Sequence, residues 1–289
     1  MIYGAFQMKQ RIFAILLALA LLLSGCAAQT DAPSADILAT TAPVAQIVGA
    51  VTAGSGLTVA TLISEPVSCV HDYALSVDQM RAVEQAKHIV ISGAGLEEFM
   101  ADVLTSRAVI DASEGLALLP GEEGESDPHT WLAPENMIAM TRTVETALAA
   151  EYPQHAALFA ENADIWCEKL DELQSYGEQH LADLSCRRLV TFHDGFAYFA
   201  QAFGLEIAAS MEIEAGSEPS ARELEEIISL LQDQNIPAVF TEINGTADAA
   251  ELVSRETGCA VFSLDTAISS VNYLSAMTQN IDTIKEALG

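Results

Sequence analysis

Three histidines stand where a purely structural role explains them poorly. His71 lies in CVHDYALS, past the apolar run LTVATLIS, and His129 lies in ESDPHTWLAPEN, straight after Pro128 in an acidic loop. His193 directly follows the run RLVTF, and a fourth candidate, Asp265, ends CAVFSLD. All four fall beyond β-rich runs, and in parallel α/β sheets ligands bind outside the carboxyl ends of the strands. Three imidazoles and a carboxylate make a tetrahedral donor set suited to zinc, whose filled d shell imposes no geometry of its own. Nitrogen donors count against calcium and magnesium, which take oxygen. Four protein ligands would also close the shell and leave no activated water, which suits carriage of an ion rather than hydrolysis. Protons should compete for the imidazoles as pH falls towards about 6.

The other candidates weigh less. His155 and His180 fall on helical patterns among charged neighbours and read as solvated, and His88, beside Lys87, opens a strand and reads as structural. Glu242 ends the run AVFTE and is the substitute for Asp265, either on the ion or behind its ligands. Cys69 precedes His71 by two residues and reads more readily as a buried thiol or disulfide partner than as a thiolate ligand. Asp72, Asp127 and Asp194 lie close to the histidines in sequence, but neighbouring side chains rarely point the same way, so none is assigned as a partner. Tyr198 and Phe199 read as core.

The elements that must position these residues alternate in two halves. In the first, residues 35–40, 57–64, 87–92 and 108–111 are β-rich, and PVAQIVGAVTAG, SVDQMRAVEQA and LEEFMADVLTSR between them carry apolar residues at helical spacing. In the second, RLVTFHD, LEIAASM, AVFTEI and CAVFSLD alternate with GFAYFAQAFG, SARELEEIISLLQ and TADAAELVSRETG. Ser76 with Gln79, and Ser220 with Glu223 after Pro219, form capping boxes that open two of these helices. Asp194 should start the helix after His193, and a last helix should run from about Val271 to the end. This order predicts an α/β protein of two lobes, each a mostly parallel sheet with flanking helices. Between the halves, Phe159, Ala163, Trp166, Leu170, Leu173, Gly177, Leu181 and Leu184 step by three and four. Their stripe covers roughly 30 residues, or about 45 Å of helix, long enough to bridge two lobes as a stiff connection with modest hinge motion. If the lobes face one another, His71, His129, His193 and Asp265 can meet in the cleft.

The N-terminus is a targeting segment. Lys9 and Arg11 precede twelve uncharged residues, Ile12 to Leu23, too few for the roughly 20 that span a bilayer. Met8 is a plausible start, since MKQRIF opens the basic region cleanly. Leu23-Ser24-Gly25-Cys26 then resembles a bacterial lipobox, which implies cleavage before Cys26 and a lipid on its sulfur. Residues 1–25 are thus expected to be signal peptide and 26–35 a tether. Residues 36–152 are the first lobe, 153–185 the linking helix and 186–289 the second lobe.

The chain has 12 basic and 41 acidic residues, a net charge of −29; loss of Lys9 and Arg11 makes it −31. Such a surface repels nucleic acid and attracts cations. Cys69, Cys167, Cys186 and Cys259 allow three pairings, and no spacing chooses among them. SGAGLEEF opens like a dinucleotide-binding turn, but Glu98 stands where the last glycine is needed, and there is no GxxxxGK, HExxH or GxSxG.

HDYALS, GAGLEEF, DPHTWLAPEN, TFHDGFAYFAQAFG, EPSARELEEI and AVFTEINGTADAAELVSRETG, in that order, resemble the zinc/manganese solute-binding lipoproteins of ABC uptake transporters. The resemblance runs from about Ala35 to the end. It implies two α/β lobes joined by one long helix, and a metal between them on His71, His129, His193 and Asp265. It also implies a monomeric, non-enzymatic receptor held outside the cytoplasm by lipidated Cys26, passing Zn2+ to a permease and its ATPase. Family members with histidine at the position of His193 tend towards zinc, and Mn2+ is the alternative cargo. Two departures stand out. The region before DPH is short and acidic (LLPGEEGES) where relatives often carry a histidine-rich loop, and the usual LDP reads Leu264-Asp265-Thr266. Rival readings are a bilobed receptor for a metal chelate, which would want arginines or aromatics in its cleft, a three-histidine zinc hydrolase with Asp265 or Glu242 as base, and a surface adhesin.

Overall fold

The computed structural model describes residues 35–67, 70, 73–121, 124–211 and 220–289. The lipobox with Cys26, most of the tether, Pro219, Cys69, His71 and Asp72 lie outside them. In the first half, β1 (Ile37–Ala39), β2 (Val59–Thr61), β3 (His88–Ile91) and β4 (Val109–Asp111) form a parallel sheet in the order β2-β1-β3-β4. Its crossover helices include α1 (Ala42–Val51), α2 (Val77–Gln85) and α3 (Ala101–Leu104). Ser76 and Gln79 exchange the two hydrogen bonds of the expected capping box at the start of α2. Leu38, Ile89 and Val90 are buried, as central strands of a parallel sheet covered on both faces should be.

The second half repeats the order. The strands β5 (Arg188–Thr191), β6 (Glu206–Ser210), β7 (Ala238–Glu242) and β8 (Ala260–Leu264) form a second parallel sheet, β6-β5-β7-β8. Its helices are α6 (Ala197–Ala202), α7 (Ala221–Gln234), α8 (Asp248–Thr257) and α9 (Tyr273–Leu288). The Ser220–Glu223 capping box opens α7, and Asn235 closes it in the left-handed region. Gly258 closes α8 in the same way, at φ 78°, a conformation that costs glycine little. In both sheets the strand order reverses beside the first strand, at β1/β3 and at β5/β7, which places a crevice at those carboxyl ends.

Two helices lie between the sheets in sequence, and only one of them was expected. The long helix α5 (Ala156–His180, 25 residues) follows a single 3-10 turn over Pro153–His155 and buries Phe159, Ala163, Leu170, Leu173 and Gly177, as its stripe predicts. It stops short of Leu184. Before it runs α4 (Pro134–Glu151, 18 residues), which the sequence reading passed over. Its signal was present: Pro134 at the start, then Met137, Met140, Thr141, Val144 and Leu148 on one buried face.

The helix after His193 also differs from the expected one. It begins at Ala197, not Asp194, so residues 194–196 form a loop between strand and helix. The connection between the lobes is not the long helix alone. The segment from Thr266 to Tyr273 crosses back to the first half, and α9 packs on α5 and α1. Ala42 N–H donates to the Ile268 carbonyl at 3.3 Å, and the Gln46 amide bonds Ser270 O and Tyr273 N at 3.0 and 2.6 Å. One continuous core accordingly runs from Ile37 to Leu288, with a smaller one around Val190, Ile227 and Val253. The long helix is therefore reinforced by a second crossing, and the linkage is stiffer than one helix alone would give.

Candidate metal centre

His129 owes its position to the residue two before it. The Asp127 carboxylate Oδ1 accepts from the His129 backbone N–H at 2.9 Å and from ring Nδ1 at 2.8 Å. With its proton on Nδ1, the ring leaves the lone pair of Nε2 available to a ligand. Asp127 is itself fixed: its N–H donates to Leu119 O, and its carbonyl accepts from the Tyr198 hydroxyl at 3.1 Å. That hydroxyl in turn accepts from Leu119 N–H at 2.9 Å. Tyr198 is buried, as expected of core, but its hydroxyl carries α6 against the DPH loop.

The Trp131 ring lies 5.4 Å from that of His129, and its Nε1 donates to Thr266 O at 2.7 Å. The Tyr273 hydroxyl donates to Trp131 O at 2.7 Å. The tryptophan after the histidine therefore fastens the His129 turn to the loop that carries Asp265.

His193 arrives from the end of β5. Its Nε2 lies 3.2 Å from His129 Nε2, with the two rings at 89° to one another. Ligands at about 2.05 Å around a tetrahedral ion are separated by about 3.3 Å, so two ring nitrogens at this spacing suit one ion between them. Gly195 makes room for this arrangement. A Cβ there would stand 2.7 Å from His193 Cδ2, 2.9 Å from His193 Nε2 and 3.1 Å from His129 Cδ2.

Two carboxylates border the imidazoles. Glu242, the last residue of β7, is 8% exposed, and its Oε1 lies 3.6 Å from His193 Nε2. Burial, with Asp265 nearby, pushes its carboxyl up to about 8. Asp265 lies one residue past β8. Its Oδ1 accepts from Ala267 N–H at 2.8 Å and its Oδ2 from the Ser270 hydroxyl at 2.5 Å. Asn280 of α9 holds its backbone from both sides, accepting from Asp265 N–H and donating to its carbonyl. Among the described residues no three His, Cys, Asp or Glu side chains converge as a complete metal site. His71 would be the further donor, and it lies outside them.

The other expected positions fall elsewhere. His88 is half-buried against the Tyr152 ring at 5.3 Å. His155 and His180 are half-buried rather than solvated; His180 stacks on Tyr176 at 3.7 Å and its Nδ1 pairs with the Tyr176 carbonyl. Cys167, Cys186 and Cys259 are free thiols. Sequence reasoning missed Asp127, Gly195, Asn280 and the hydroxyl of Tyr198. Asp127 alone had a readable signal, since an aspartate two residues ahead can accept from both backbone and ring N–H.

Residues 37–287 match the family described as "Zinc-uptake complex component A periplasmic" (ZnuA). The manganese-binding lipoprotein MntA of Bacillus subtilis is 32% identical over 249 residues, 81% of either chain. The zinc-binding lipoprotein AdcA of Streptococcus pneumoniae is 29% identical over 298 residues, 92% of this chain, which spans 58% of AdcA's length. A crystal structure of ZnuA superposes with a TM-score of 0.80 at 26% identity, over 88% of this chain and 99% of that one.

Proposed function

The chain belongs to the ZnuA family of zinc-uptake components, and on that premise we propose that it is the extracytoplasmic receptor of an ABC importer. It captures a divalent ion between its lobes and hands it to the permease, whose ATPase drives entry. The family is one of transport receptors, and the chain is not an enzyme. Zinc is the proposed cargo and Mn2+ the alternative, on ligands His71, His129, His193 and Asp265, with Glu242 as the further carboxylate. A shell rich in imidazole favours zinc over oxygen-seeking ions.

The observation that carries this reading is the 3.2 Å between the Nε2 atoms of His129 and His193, with Asp127 turning His129 to present that nitrogen. Cys26 is proposed as the lipidated anchor, residues 1–25 as the signal peptide, 26–35 as the tether, and 36–152, 153–185 and 186–289 as first lobe, linking helix and second lobe. The receptor works as a monomer. The named relatives MntA and AdcA are metal-binding lipoproteins, which supports both anchor and cargo.

The test is metal content by mass spectrometry on a soluble form with Cys26 replaced. The protein is stripped, then exposed to equal Zn2+ and Mn2+, beside His193→Ala. About one zinc per chain, lost or sharply weakened in the variant, is expected. Little bound metal in the unmutated chain would refute the reading.

A further inference from the structure

The end of β7 holds a group that a four-ligand set of three histidines and Asp265 leaves unused. Glu242 is 8% exposed, and among the described residues its Oε1 has no hydrogen-bond partner. A buried carboxylate oxygen without a donor is expensive and calls for a ligand in the place a donor would take. The approaching atom is His193 Nε2 at 3.6 Å, which is itself 3.2 Å from His129 Nε2. These spacings bracket the edge of about 3.3 Å expected between donors on one ion.

Asp265 is placed differently. Both of its oxygens already accept from its own loop, at Ala267 N and Ser270 Oγ, and Asn280 grips its backbone. Its carboxylate is thus held in a fixed orientation, while the Oε1 of Glu242 is left to an ion. The sheet explains why Glu242 and His193 meet, because β5 and β7 are neighbours and both end at the switch point of β6-β5-β7-β8. Asp265, past β8, stands one strand further along. Two carboxylates, Glu242 buried and Asp265 half-buried, are therefore brought to one crevice, and among the described residues neither is paired with a lysine or arginine.

Resting on the metal-receptor reading, we infer that the cargo ion, on binding at His129 and His193, draws a Glu242 carboxylate oxygen onto itself, and that this second carboxylate sets which ions the site accepts. Zinc is satisfied by four donors, three of them imidazole. Mn2+ takes a larger shell richer in oxygen, and Glu242 supplies the extra donor. Removing it should cost manganese more than zinc.

The experiment is a chelator-buffered titration of the stripped full-length soluble protein with Zn2+ and, separately, Mn2+. It compares the unmutated chain with Glu242→Gln and Glu242→Asp, and Mn K-edge absorption is recorded on the loaded proteins. Glu242→Gln keeps the shape and removes the charge, and Glu242→Asp keeps the charge and withdraws it by one methylene. Manganese affinity should fall at least tenfold in both, zinc affinity by a smaller factor, and the manganese edge should report a changed oxygen shell. Equal losses for both metals would mean a structural role and overturn the inference, as would no loss for either. If the unmutated chain takes neither metal, the receptor reading falls and Glu242's role with it. If it takes both and the variants behave alike, only the role of Glu242 falls. Should Glu242→Gln fail to fold, Glu242→Asp and the absorption edge decide by the same criteria.

Discussion

His129 and His193 stand 64 residues apart in sequence, yet their Nε2 atoms lie 3.2 Å apart. One comes from a loop after the first sheet and the other from the end of β5 in the second. Neither half can assemble this pair alone. The contact exists because Tyr198 ties the DPH loop to α6 and Trp131 ties it to Thr266.

Asp127 should act on metal affinity through His129. Asp127→Ala removes the acceptor that keeps the proton on Nδ1, so the ring can turn or take the other tautomer. Loss of such a partner behind a histidine ligand costs about 10–100-fold in metal affinity. Competition with a chromophoric chelator would measure it, and circular dichroism would establish that the variant is folded. An unchanged affinity in a folded Asp127→Ala protein would remove Asp127 from the site.

Gly195 tests the packing of the two rings directly. In Gly195→Ala the new methyl would stand 2.7 Å from His193 Cδ2 and 2.9 Å from His193 Nε2, closer than real Cβ atoms come, and 3.1 Å from His129 Cδ2, tighter than most such contacts. The rings must separate, so zinc affinity should drop by tenfold or more, while the melting temperature of the metal-free protein changes little. The same chelator competition reads the affinity, and a thermal melt reads the stability. A normal affinity would mean that the His129–His193 spacing does not matter for binding.

How much of this could be read in the sequence differs between fold and site. Alternating β-rich and helical runs gave the two parallel sheets, because central parallel strands are apolar throughout and capping residues punctuate their helices. Helix α4 escaped notice since its apolar residues follow the chemically conspicuous DPHTW and its start lacks a side-chain cap. At the site, residue type and strand-end position picked out His129, His193, Asp265 and Glu242 as candidates, and the structure brings His193 close to both His129 and Glu242. Gly195 and Asn280 could not be weighed the same way. Their roles depend on where a ring nitrogen or a Cβ lies in space, and spacing along the chain does not carry that.

Glu97 should make stability depend on pH. It is buried where β1 and β3 end, accepting from the Thr40 hydroxyl at 2.5 Å and from Ser92 and Gly93 N–H at 2.7 and 3.0 Å. Burial outweighs these donors and pushes its carboxyl from 4.5 up to about 7. The folded chain thus holds a proton that the unfolded chain releases between these values. The stabilisation is complete below about 4.5 and is lost as pH rises through about 7, a change on the order of 3 kcal/mol. Urea midpoints at pH 5 and pH 8 should fall further for the unmutated protein than for Glu97→Gln, which cannot ionise. Parallel curves would show that Glu97 titrates alike in both states.

Tyr273 is expected to govern how firmly the two halves hold the ion. Its hydroxyl, fully buried, donates to Trp131 O, and Trp131 Nε1 donates to Thr266 O, next to Asp265. These bonds join the His129 turn to the Asp265 loop, so on the proposed ligand set an ion held by both would be freed more readily once they part. Tyr273→Phe deletes one of them and leaves the Trp131 carbonyl buried without its donor, at a cost of about 1–3 kcal/mol. The helix start and the ring packing stay. Metal dissociation into excess chelator, followed by stopped flow, should therefore quicken several-fold, with a smaller effect on the association rate. If dissociation keeps its rate while stability drops by the expected amount, the Trp131–Tyr273 bond serves the fold alone, and release must be controlled elsewhere in the cleft.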